Sequence, residues 1–150
     1  MIHLDYYYER DIPYSPQANQ ELIAALVNKN YIIYNGTDFG IKKKNTPLKW
    51  DDAEADCVKD KGHLYRINSL FKREILERYL SDITFSSGED FHVGLKKING
   101  TWMWFDGGTD VFYLRPEGQN ENCSRYFDKN ITSTMCANTN EYLCEVSISV

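Results

Sequence analysis

The chain has no long apolar run. Nothing approaches the ~18 consecutive apolar residues of a membrane span. No basic segment followed by a short apolar core comes after Met1, so no export signal is visible. That leaves a cytosolic protein, or a mature piece whose export signal lies outside these 150 residues. Positive charge is not in excess. Seventeen Lys and Arg against 22 Asp and Glu give a net charge of −5, which argues against a nucleic-acid or acidic-membrane binder. Lys42-Lys43-Lys44 is a short basic run, read as a solvated loop or edge strand. No Cys-x-x-Cys pair occurs, and His3, His63 and His92 stand apart, so no zinc-type ligand set forms. No nucleophile stands beside a base. Asp51-Asp52 and Glu89-Asp90 read as helix-end and loop charges, and His92 as a core or rim histidine. No catalytic site is expected. Internal repeats and low-complexity tracts are absent.

What is present points to one domain with a real core, since 42% of the chain is hydrophobic. The four cysteines are Cys57, Cys123, Cys136 and Cys144. Their even number and wide spacing read as two disulfides, with three pairings open, and hence an oxidising compartment. Three N-x-S/T acceptors, at Asn35, Asn99 and Asn130, point the same way. Asn122-Cys123-Ser124 also fits, but a bridged cysteine would hinder it. Eleven tyrosines suit a binding surface or the rim of a β-rich core.

Residues 91–107 (FHVGLKKINGTWMWFDG) organise the rest. Phe91, Val93 and Leu95 alternate with His92, Gly94 and Lys96, as in a strand with one buried face. Asn99-Gly100 is a type I′ turn signal, because both residues tolerate positive φ. The return strand carries Trp102 and Trp104 on one face and Met103 and Phe105 on the other. Apolar on both sides, it is expected to be central in its sheet.

Residues 1–30 read as an N-terminal extension, a stalk or a packing arm. Leu22, Ile23, Leu26 and Val27 mark a short helix over about 17–28, with its docking surface left open. Residues 31–34 and 37–43 read as strands around Asn35-Gly36. A helix is expected from about 48 to 61, with Trp50, Ala53, Cys57 and Val58 inward and Gly62 as its stop. Residues 64–67 are a short strand or bridge. Ser69 caps a second helix to about 81, whose apolar face is Phe71, Ile75, Leu76, Tyr79 and Leu80. Residues 108–122 lose all period, and a long loop in a stapled domain is more often functional than a plain connection. Residues 124–127 and 142–145 read as short strands around a polar turn region, and residues 147–150 as a tail.

These features, taken in order, resemble the C-type lectin-like domain family. Trp50-x-x-Ala53-x-x-x-Cys57 is similar to the family's first helix, and His63-Leu64-x-x-Ile67-x-Ser69 leads into its second. Phe91-His92-Val93-Gly94-Leu95 resembles the W-I-G-L segment, with His92 where Trp is usual. Trp102-x-Trp104-x-Asp106-Gly107 resembles W-x-W-x-D-G. Glu121-Asn122-Cys123, Cys136 and Leu143-Cys144-Glu145 resemble the closing cysteines. The match covers about residues 31–146. It implies an α+β fold, with two helices flanking small antiparallel sheets and a long irregular loop. It also implies that Cys57 pairs with Cys144 and Cys123 with Cys136.

In that family sugars are bound, as a rule, through calcium, which needs six to eight oxygen ligands. The resemblance places these in an E-P-N or Q-P-D triplet, an acidic residue before the third cysteine, and a W-N-D triplet. Here residues 115–120 read RPEGQN, Glu121 keeps its place, and Ile131-Thr132-Ser133 replaces W-N-D. No calcium is expected there. A rearranged site from Glu117, Asn120, Glu121 and Asp128 is the alternative. Members of this kind mostly bind proteins, as receptors, receptor ligands, viral decoys or matrix modules. The resemblance therefore implies a non-catalytic, calcium-independent extracellular module with a protein partner. The candidate surface is Phe112, Tyr113, Arg115, Glu117, Asn120 and Tyr126. The rivals are a calcium-dependent or atypical glycan binder, and a structural module self-associating through residues 1–30.

Overall fold

The computed structural model describes residues 16–83, 89–111, 114–115 and 118–149, with side chains from residue 20. Ten elements follow in order: α1 (Pro16–Asn28), β1 (Phe39–Lys49), α2 (Trp50–Lys59), β2 (His63–Leu64), α3 (Leu70–Ile83), β3 (Asp90–Ile98), β4 (Thr101–Met103), β5 (Cys123–Phe127), β6 (Asn130–Thr134) and β7 (Thr139–Ser147). The fold class is α+β. All seven strands join one sheet, in the order β1-β7-β3-β5-β6, with β2 also on β7 and β4 on β3.

Two apolar clusters occupy the two faces of that sheet. Phe91, Val93 and Leu95 of β3 point into one, with α3 and Leu143 of β7. Tyr142, Cys144 and Val146 of β7 point into the other, with α1 and α2. The alternation along β7 is the period-two rule applied to a strand covered on both sides. β3 is covered in the same way. His92 is 1% exposed, so the one-faced alternation expected for this strand does not hold.

α1 docks on its own domain through Ile23 and Leu26, beside Ile33, Val146 and Ile148. Val27 turns outward. α2 buries Trp50, Ala53 and Cys57, but Val58, expected inward, is exposed. The stop of α2 also differs in its agent. Lys61 takes the left-handed conformation, φ 70°. Its N–H donates to the Val58 carbonyl (2.8 Å), and that of Gly62 to the Cys57 carbonyl (3.0 Å), a Schellman closure. Gly62 is needed because a Cβ there would run into the Glu145 carbonyl and the Val146 side chain.

On α3 the Ser69 cap is present, its Oγ accepting the Lys72 N–H at 3.0 Å. Phe71, expected in the apolar face, is about half exposed, and Lys72 is buried instead. Its ammonium lies 4.3 Å from the centroids of Phe39 and Tyr65 and donates to Glu145 Oε1 at 2.6 Å.

Three strand expectations are corrected. Residues 31–34 make isolated bridges at Ile32, which pairs with Ile41, and at Tyr34, not a ladder. β1 runs on to Lys49 through Pro47, because a register shift between Lys44 and Leu48 absorbs the proline at a sheet edge. The expected helix start at residue 48 therefore moves to Trp50. β4 is short and lies off the main path of the sheet, not at its centre. Trp104 leaves the ladder to close the next turn, where its N–H donates to Gly108 O and its carbonyl accepts from Gly107 N–H, both at 2.9 Å. The Asn99-Gly100 turn has φ 51° and 83°, the signs a type I′ hairpin needs.

The disulfides are Cys57–Cys144 and Cys123–Cys136, 87 and 13 residues apart. In the loop-closure model they restrict the unfolded chain by about 4.6 and about 3 kcal/mol. The wide bridge ties α2 to β7. A polar network crosses the same junction. Lys44 donates to Asp56 (2.8 Å) and Asp60 (2.7 Å), Tyr142 to Asp56 (2.6 Å) and Tyr31 to Asp60 (2.7 Å).

Leu26→Ala should lower unfolding free energy by about 2–4 kcal/mol in urea; a wild-type midpoint would mean that α1 is not docked. Burial alone would raise the Asp56 and Asp60 carboxyls, but the hydrogen bonds from Lys44, Tyr142 and Tyr31 outweigh it and hold both below the usual range. A carboxyl depressed on folding stabilises above its unfolded pKa of about 3.9 and loses that contribution as pH falls through the folded value. Urea midpoints should therefore drop below about pH 4. Lys44→Met should flatten that drop, and an unchanged slope would contradict the network's role.

Candidate functional site

The loop of residues 108–122 starts from the turn that Trp104 closes. Its indole N–H donates to the Asp110 carbonyl at 2.7 Å. Further on, the loop runs beside the outer edge of β6. Leu114 bridges Ile131 in parallel, and the Arg115 N–H donates to the Ile131 carbonyl at 3.0 Å. The Gly118 N–H then donates to Ser133 Oγ at 3.0 Å. The loop ends where Cys123 joins Cys136. β6 was hidden in the sequence because Asn-Ile-Thr-Ser-Thr is polar, and only Ile131 signals a buried face.

Of the six candidate surface residues, Phe112, Tyr113 and Glu117 lie outside the described residues. Arg115 is exposed, and its Nη2 donates to Asp128 Oδ2 at 3.1 Å. Asn120 is exposed in a left-handed turn, φ 63°. Tyr126 is a correction. It is 1% exposed and stacks on Phe91 with ring centroids 5.4 Å apart, so no partner reaches it. Its place on β5 opposite Phe91 turns it into the core. Burial pushes its phenol up to about 12, and its hydroxyl has no partner among the described residues.

Glu121 sits at the loop's end. Its Oε1 accepts from the Ser133 hydroxyl (2.7 Å) and the Gly118 N–H (3.2 Å). Among the described residues no group of three or more His, Cys, Asp or Glu is placed to hold a metal ion. Of the sequon asparagines, Asn35 and Asn99 are exposed, whereas Asn130 is half-buried with its amide donating to the Asp128 carbonyl.

Sequence reasoning missed a second exposed cluster, just before the loop. Phe105 is 44% exposed and clamped between two partners. The His63 ring stacks on it at 3.8 Å and 9°, and the Arg66 guanidinium lies 4.6 Å from its centroid. His63 in turn meets Glu54 at 2.6 Å. Arg66 donates to Asp106 at 2.6 Å. The Gly108 N–H, then Arg66, hold the Asp106 carboxyl below the usual range. Only the spacing of Phe105 and Asp106 in the tryptophan segment could have signalled this.

The described residues form three helices and one seven-stranded sheet, with a long loop closed by a disulfide. A model of the family described as the lectin C-type domain matches residues 46–146. The chain belongs to that family. Among curated proteins it is 30% identical over 114 residues to mouse C-type lectin domain family 12 member B, covering 71% of this chain and 40% of that one. To the type-2 ice-structuring protein of Brachyopsis segaliensis it is 37% identical over 68 residues, 45% of this chain and 37% of that one. The chain thus spans about two fifths of the length of these relatives. Among solved structures, the trimeric Kupffer cell C-type lectin receptor Clec4f superposes with a TM-score of 0.70 at 20% identity, covering 87% and 91% of the two chains. A calcium-independent type II antifreeze protein gives 0.62 at 25%, covering 78% and 91%.

Tyr126→Phe should leave stability unchanged or raise it by up to about 1 kcal/mol, since it removes a buried hydroxyl that has no protein partner. A loss of more than about 1 kcal/mol in urea would show that the hydroxyl is bonded.

Proposed function

We propose that this domain is a non-catalytic extracellular module that recognises a protein partner without calcium. The observation that carries the reading is the closure of Ser133 and Gly118 on Glu121. Calcium takes six to eight oxygens, several of them carboxylate or amide. Where the family pattern asks for a W-N-D triplet, this chain has Ile131, Thr132 and Ser133. The Ser133 hydroxyl and the Gly118 N–H both donate to Oε1 of the one carboxylate that keeps its place, so an ion seated on that oxygen would have to displace them. Asp128 is turned to Arg115 instead. Among the described residues, no set of carboxylates fits a calcium ion.

The recognition surface is the loop with its exposed Arg115 and Asn120. Phe112, Tyr113 and Glu117 are proposed as part of it, and Tyr126 is not. Arg and Tyr are favoured where interfaces concentrate their energy. Two disulfides suit an oxidising compartment, so we place the module in a secreted protein or an ectodomain. Exposed Asn35 and Asn99 suit glycan attachment there. None of the described helices is long and apolar enough to cross a membrane.

Calorimetric titration of the chain with calcium should show no saturable heat and no rise in Tm. A saturable heat with raised Tm would replace this reading with a calcium-dependent glycan binder. For a partner captured from an extracellular protein library, the double variant Tyr113→Ala, Arg115→Ala should lose binding at an unchanged Tm. Wild-type affinity in that variant would move the surface elsewhere.

A further inference from the structure

Three places in the chain set a glycine directly after an asparagine or aspartate: Asn35-Gly36, Asn99-Gly100 and Asp106-Gly107. Such a pair is chemically weak. The glycine amide nitrogen reaches the side-chain carbonyl carbon one residue back, because no Cβ stands in its way. Asparagine is in any case one of the thermolabile residues.

The fold treats the three pairs differently. Asn35 and Gly36 are both exposed, as are Asn99 and Gly100. A Cβ built on Gly36 or Gly100 would meet nothing within 4 Å. Among the described residues no hydrogen bond holds the Asn35 or Asn99 side chain, or the Gly36 or Gly100 N–H. At Asp106-Gly107 the attacking nitrogen is tied down, its N–H donating to the Trp104 carbonyl at 2.9 Å. The Asp106 carboxylate accepts from the Gly108 N–H at 2.9 Å and from Arg66 Nη1 at 2.6 Å. These partners keep it ionised, and an anion is a poor target for a nucleophile.

The two open pairs coincide with the two exposed N-x-S/T acceptors, which both read Asn-Gly-Thr. The third acceptor contrasts with them on every count. Asn130 is half-buried, and its Nδ2 donates to the Asp128 carbonyl at 2.9 Å. The residue after it is Ile131, β-branched and 1% exposed, so the nitrogen that would attack is shielded. Weak amide and glycan acceptor are therefore the same residue at positions 35 and 99, and at neither Asn130 nor Asp106.

We propose that Asn35 and Asn99 are sites of spontaneous succinimide formation, and that an N-glycan on each is its chemical cap. The glycine nitrogen bonds to the asparagine Cγ, the Cγ–Nδ2 bond breaks, and Nδ2 leaves as ammonia with the proton from the glycine N–H. Water then opens the ring at one of its two carbonyls, leaving aspartate or isoaspartate. A glycan on Nδ2 makes the leaving group a bulky glycosylamine and crowds the approach to Cγ. At position 99 isoaspartate inserts one more carbon into a two-residue turn, which the Ile98–Thr101 pair of the β3–β4 ladder does not accommodate. The cap rests on the extracellular reading above; the ring closure does not.

The full chain made without glycosylation, held in warm, mildly alkaline buffer, tests the ring closure by peptide mapping with isoaspartate detection. Asn35 and Asn99 should convert while Asn130 stays amidated and Asp106 keeps its normal linkage. Each conversion adds one negative charge to a chain of net −5, so ion exchange follows it independently. Intact Asn35 and Asn99, or equal conversion at Asn130 or Asp106, would overturn the proposal. The cap is tested on Thr101→Ala secreted from a glycosylating cell. That variant loses the acceptor at Asn99, on an exposed strand residue, and keeps the one at Asn35. Asn99 should then convert while glycosylated Asn35 in the same molecule does not. Equal conversion of the two would refute the cap. A secreted wild-type chain bare of glycan at both positions would refute the cap as well, and would leave the ring closure to stand on the first measurement.

Discussion

The bond between Cys57 and Cys144 holds α2 against β7, and β7 is the strand that every layer of this domain uses. β1 pairs with one of its edges, and β2 and then β3 with the other. Its Tyr142 reaches Asp56 of α2. Its Glu145, 4% exposed, accepts from the Arg66 backbone N–H at 2.8 Å and from the Lys72 ammonium of α3 at 2.6 Å. A buried carboxylate survives only where such partners surround it. The strand, α2, α3 and the approach of Gly62 are thus set by one covalent tie and one satisfied charge.

The parts of this arrangement that the chain announced were those with local chemistry. Asn99-Gly100, the Ser69 cap, and the spacing of Trp50, Ala53 and Cys57 each need only neighbouring residues to act. What the chain concealed depended on distant partners. Lys72 reads as a surface lysine until Glu145, 73 residues away, is brought under it. Phe71 gives up the apolar face in exchange. The one-faced alternation of β3 fails once β5 and β7 close on both sides of it, although His92 itself read as a core or rim histidine and is buried. β6 gave almost no apolar signal, and the run of β1 past residue 43 through Pro47 was hidden because the register shift that accommodates the proline is a property of the sheet.

The candidate surface was legible only in its outline. Loss of period over residues 108–122 located the loop, and Arg115 and Asn120 are exposed on it. Tyr126 was misplaced because one residue's shift of register exchanges the core face of a strand for the other. The Phe105 clamp left little trace beyond the spacing of the tryptophan segment, since it joins Phe105 to His63 and Arg66, 42 and 39 positions away. Both surfaces adjoin the sheet, so the proposed recognition element is a loop tethered to that frame. That division suits a module whose partner can change while its scaffold does not.

The central claim is that protein contacts alone, not an ion, order the loop. Hydrogen exchange of residues 114–122 tests it directly, compared in chelator and in roughly 10 mM calcium, above the 10⁻⁴–10⁻³ M Kd of extracellular calcium modules. Equal protection of the Arg115 and Gly118 amides in the two conditions is the predicted result. Protection that appears only with calcium would contradict it.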